Sequence, residues 1–131
     1  MDFQEFQRQT EAAIHLVFDE LQSIPAKEGV PVPQDLQSVL AIVRIFAGEL
    51  MICADLNSAM SRQRQDQGAL LCVVFVATRT ADDVQKEALR RAYATMPEET
   101  TILPGAAVAS FLLELCIGLE NARQGSKPGS I

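Results

Sequence analysis

The stretch Pro33-Gln34-Asp35-Leu36-Gln37-Ser38-Val39-Leu40-Ala41-Ile42-Val43-Arg44-Ile45-Phe46-Ala47-Gly48-Glu49-Leu50-Met51-Ile52-Cys53-Ala54-Asp55-Leu56, continuing to Met60, decides the fold. On a helix that advances about 100° per residue, Gln37, Arg44, Gly48, Asp55, Ser58 and Arg62 collect in one narrow polar stripe. Nearly all the rest is apolar, so roughly two-thirds of the circumference calls for burial. A helix of that kind belongs inside a bundle with neighbours on several sides. The reading is therefore a central apolar helix over 34–62.

Working outward, residues 2–24 place Phe3, Phe6, Thr10, Ala13, Ile14, Val17, Phe18, Leu21 and Ile24 at steps of three and four. That is one apolar face, with Glu5, Arg8, Glu11, Asp19 and Glu20 opposite. Asp2 followed by Glu5 has the spacing of a capping box. Residues 25–33 carry three prolines and Gly29 and read as a connection. Pro33 suits the first turn of the next helix, and Asp35 sits near its positive end. The polar tract 61–68, ending at Gly68, supplies a reversal.

Leu70-Leu71-Cys72-Val73-Val74-Phe75-Val76 is ambiguous by composition, because a β-branched run of this length suits a buried strand or a buried helix. A strand needs partners, and the chain offers few. Helix is the reading, with a short strand at 70–77, paired across a dimer, as the alternative. Thr80 before Asp82 and Asp83 reads as the N-cap of a helix over 81–95 that Pro97 stops. Pro104 and Gly105 introduce a last helix over 106–123, apolar except for Ser110, Glu114, Gly118 and Asn121. The expectation is an all-α, single-domain bundle of four to five helices over residues 1–123, with a flexible tail at 124–131.

Composition narrows the function classes. The 131 residues are 48% hydrophobic and 21% charged, enough apolar material for a core. A net charge of −6 disfavours a general affinity for nucleic acid. Cys53, Cys72 and Cys116 are odd in number, widely spaced and set in apolar runs. They read as buried free thiols in a reducing, cytoplasmic setting rather than a disulfide framework or zinc site. Arg44, Glu49 and Asp55 interrupt the longest apolar stretch, so no membrane span is expected. No nucleotide, metalloprotease or nucleophile-elbow motif occurs, and no cofactor or metal site is expected.

Three functional readings follow. Two helices are apolar almost all round, more than one small bundle can enclose, which points to a non-enzymatic interaction protein. Such a protein (an adaptor, chaperone, inhibitor or immunity-type regulator) would act as a homodimer or on a protein partner, with Arg44, Glu49, Asp55 and Glu114 setting specificity at the rim. The second reading is a small enzyme using Glu49, a carboxylate in the apolar arc, with Glu114 or His15. The third is a helix-turn-helix regulator using residues 80–95, although Lys86, Arg90 and Arg91 are interleaved there with Asp82, Asp83 and Glu87.

Overall fold

The computed structural model describes residues 1–22, 33, 35–53, 56–63, 67–97 and 104–125. Among them lie six helices: α1 (Phe3–Gln22), α2 (Leu36–Ile52), α3 (Leu56–Gln63), α4 (Gln67–Arg79), α5 (Asp82–Ala94) and α6 (Gly105–Gly125). The fold is an all-α single domain, and no strand occurs among the described residues. The apolar run at 70–77 lies wholly within α4. Its Leu70, Cys72, Val73 and Val76 are buried among α2, α1 and α6, so helix-on-helix packing satisfies both sides without a strand partner.

The long helix expected over 34–62 is divided. Asp35 caps α2, its carboxylate accepting from the Ser38 N–H at 2.9 Å, so Pro33 lies before the cap rather than inside the first turn. At the other end Cys53 turns extended, its N–H still donating to the Glu49 carbonyl at 3.1 Å, and Leu56 begins a separate helix. No proline or glycine marks this break in the sequence. The start of α6 lies beside it. Gly105, the first residue of α6, abuts the carbonyls of Leu50 and Cys53. A Cβ there would lie 2.5 Å and 2.9 Å from those oxygens, closer than carbon and oxygen pack.

From that joint α6 runs back antiparallel along α2 until Glu120 accepts from Arg44 at 3.0 Å. The α2–α6 pair is the most extensive packing in the molecule, and α5 covers another side of α6. There Gly118 lies against Val84, whose methyl a Cβ would overlap. Phe46, Leu40, Leu50, Leu70, Leu112 and Leu115 fill the aliphatic centre. By length and composition α6 is apolar enough to cross a membrane, as core helices of bundles also are.

Capping followed the sequence in part. Asp2 accepts from the Glu5 N–H at 2.8 Å, but the Glu5 carboxylate turns to Arg8 and to Gln9 instead of closing the box. Those two donors, Arg8 first, hold the Glu5 carboxyl well below its ordinary range, at about 2. Thr80 does not cap α5. Ala81 occupies the cap position without a side-chain bond, and the Thr80 hydroxyl donates to the Ala77 carbonyl at 3.3 Å, closing α4 instead. At the far end, α6 extends to Gly125, so the first two residues expected in the tail are helical, and 126–131 lie outside the described residues.

Candidate functional site

Two features of the folded chain are not accounted for by the core. The first is the outer face of α2. Ile45, Met51 and Ile52 are 66%, 59% and 70% exposed, in a helix whose other side is fully enclosed. Ala41 and Gly48 are exposed beside them. The four positions 41, 45, 48 and 52 advance by four, three and four, the spacing of a coiled-coil seam. Gly48 stands at the middle of this seam, and a Cβ added there would meet nothing within 4 Å. Glycine inside a helix costs about 1 kcal/mol relative to alanine, and among the described residues no neighbour requires it at this position.

Of the four residues expected at a binding rim, Arg44 and Glu49 flank the seam on opposite sides. Arg44 is partly exposed and reaches the rim of α6 through Glu120. Glu49 is half-buried, its backbone tied to Cys53. Glu114 is not part of this face. It points to α5, with Oε2 at 3.8 Å from the Arg91 Nε, inside the open groove between α5 and α6. Asp55 lies outside the described residues.

The second feature is a cavity of about 420 Å³ between α1, α4, α5 and α6. Val74, Leu89, Phe111 and Leu115 wall it, and Glu11 and His15 stand at its exposed edge. Thr10 and Gln85 bring polar atoms to it. The end of α1 is clasped nearby: the Phe3 and Phe6 rings each lie 5.5 Å from that of Tyr93, whose hydroxyl donates to the Met1 carbonyl at 3.0 Å.

The three groups of the enzyme reading are dispersed. His15 borders the α1 cavity, Glu114 the α5–α6 groove, and Glu49 neither. Among the described residues no three His, Cys, Asp or Glu side chains converge as metal ligands would. Two basic side chains of α5 are engaged locally, Arg90 and Arg91 each reaching Glu87, at 2.8 Å and 3.1 Å. Arg79 lies over the Phe75 ring at 4.1 Å. Ile45 and Ile52 belong to the apolar arc whose composition calls for burial, and the structure leaves both exposed. The detectable signal was Gly48, a helix-interior glycine amid large aliphatic residues.

Compared with known proteins, the chain matches no family model, no curated protein and no solved structure.

Proposed function

We propose that this protein is a non-catalytic helical interaction module that docks through the outer face of α2, and that the surface it docks on is α2 of a second copy. One observation carries the reading: a seam of exposed isoleucines around a glycine with open space over it. The seam is self-complementary. Laid antiparallel about a two-fold axis between residues 46 and 47, Ile45 comes opposite Gly48 of the second copy, and Ala41 opposite Ile52. Each layer then pairs a large side chain with a small one, the arrangement that lets two helices approach closely. Arg44 keeps its bond to Glu120 in this register, and its aliphatic stem covers the edge of the seam.

The seam spans twelve residues, about 17 Å at 1.5 Å per residue, which places the contact at the small end of specific interfaces. The association is therefore weak and reversible. The same face serves a regulatory or adaptor role if a helix of another protein displaces the second copy.

Sedimentation equilibrium from micromolar to millimolar protein tests the reading. The expected outcome is a weight-average mass rising from 14.3 kDa towards twice that value, with the paired substitution Ile45→Glu and Ile52→Glu holding it at the monomer. Because both positions are solvent-facing, the substituted chain keeps its helical circular dichroism. A wild-type chain that stays monomeric at millimolar concentration removes the proposal.

A further inference from the structure

We infer that the cavity beneath α1 is a binding site for a small neutral amphiphile, an aliphatic body carrying a single hydroxyl, with that hydroxyl held by Thr10. This inference goes beyond the docking face on α2 and does not depend on it.

Thr10 carries the argument. It is completely buried, it lines the cavity, and its Oγ1 has no hydrogen-bond partner among the described residues. A threonine within a helix ordinarily spends its hydroxyl on the carbonyl one turn back. Thr78 in α4 does so, donating to the Val74 carbonyl at 2.9 Å. Thr10 does not, and a buried hydroxyl without a partner is costly enough to be rare. A group that enters the cavity with its own hydroxyl would supply the missing bond.

Gln85 adds a second polar contact. Its Nε2 donates to the carbonyls of Ala77 at 3.2 Å and Thr80 at 3.0 Å, which fixes the carboxamide's orientation and leaves Oε1 as an acceptor. The remaining wall is largely apolar, Ile14, Val74, Ala77, Leu89, Phe111 and Leu115, with Thr78 beside them and Glu11 and His15 at the open edge. At about 420 Å³ the space is of the size used for small ligands rather than for a single solvent molecule. The lining offers Thr10 and Gln85 as polar anchors but no Lys or Arg, so a carboxylate head group is disfavoured, and Glu11 stands beside His15 at the open edge. Polar anchors at one place and aliphatic wall elsewhere select a fatty-alcohol-like molecule.

Methyl-resolved NMR of the full chain, titrated with 1-octanol and separately with octanoate, tests this. The expected result is saturable shifts of the Ile14, Val74, Leu89 and Leu115 methyls with octanol, with those of Ile45 and Ile52 unmoved. Octanoate should bind at least about fivefold more weakly. Thr10→Val should weaken octanol binding about fivefold, and Thr10→Ser, which keeps the hydroxyl, should restore it. The inference is overturned if octanol gives no saturable shift up to its solubility limit. It is equally overturned if the shifts fall on the α2 face, or if the valine and serine variants bind alike.

Discussion

Helices α2 and α6 each carry twelve apolar residues, yet the fold treats them differently. α6 is contacted along one side by α2 and along another by α5, and where neighbours come too close for a side chain it has glycine, at 105 and 118. α2 also has a glycine, at 48, but among the described residues no neighbour is there. Two glycines thus have an internal steric reason and the third has none. The comparison teaches that residual apolar surface is better judged by which small residues lack a cause inside the chain than by hydrophobic content.

The contrast breaks most visibly at Gly105. Substitution by alanine there drives a Cβ into two backbone carbonyls that cannot rotate aside, and should destabilise the fold by about 3 kcal/mol, measured by urea unfolding. Gly118→Ala meets only the Val84 side chain, so its cost should be smaller, about 1–2 kcal/mol. Adding Val84→Ala should recover part of it, a coupling that a double-mutant cycle reads directly. Gly48→Ala should behave in the opposite sense, raising the stability of dilute, monomeric protein by about 1 kcal/mol. In concentrated protein the same methyl occupies the space assigned to Ile45 of a second copy, so association should fall while stability rises. A glycine substitution that changed neither quantity would leave no distinction between the two helices. The smallest effect belongs to the rim: Arg44→Ala should cost under about 1 kcal/mol, and less still in high salt, because the pair with Glu120 is partly exposed.

Much of the architecture was legible because it rests on periodicity. The 3.6-residue pattern located α1, α5 and α6 to within a few residues, and the lack of pairing partners read α4 correctly as a helix. The break between α2 and α3 was not legible. It lies where Gly105 approaches the carbonyls of Leu50 and Cys53, a contact between residues some fifty positions apart, and no local pattern marks it. Thr80 misled for a related reason: a hydroxyl next to two aspartates suits an N-cap, but it serves equally well to finish the preceding helix.

The candidate sites were less legible still. Arg44 and Glu49 lie on α2 as expected, but periodicity does not tell how far beyond the narrow polar stripe the uncovered part of α2 extends, so Ile45 and Ile52 fall in the arc expected to face inward. Thr10 was counted as one more member of the buried face of α1. Its face was right, but whether its hydroxyl has a partner depends on side-chain geometry that spacing does not carry.

The three sulfhydryls give the molecule internal clocks. Cys72 and Cys116 are enclosed in the core, so neither is reachable while the helices stay together, and burial pushes the Cys116 thiol up to about 11. Cys53, half-uncovered at the end of α2, answers to a different event, the fraying of that last turn. Alkylation followed over time would therefore separate local loosening at the α2 terminus from opening of the whole particle, without a single engineered label.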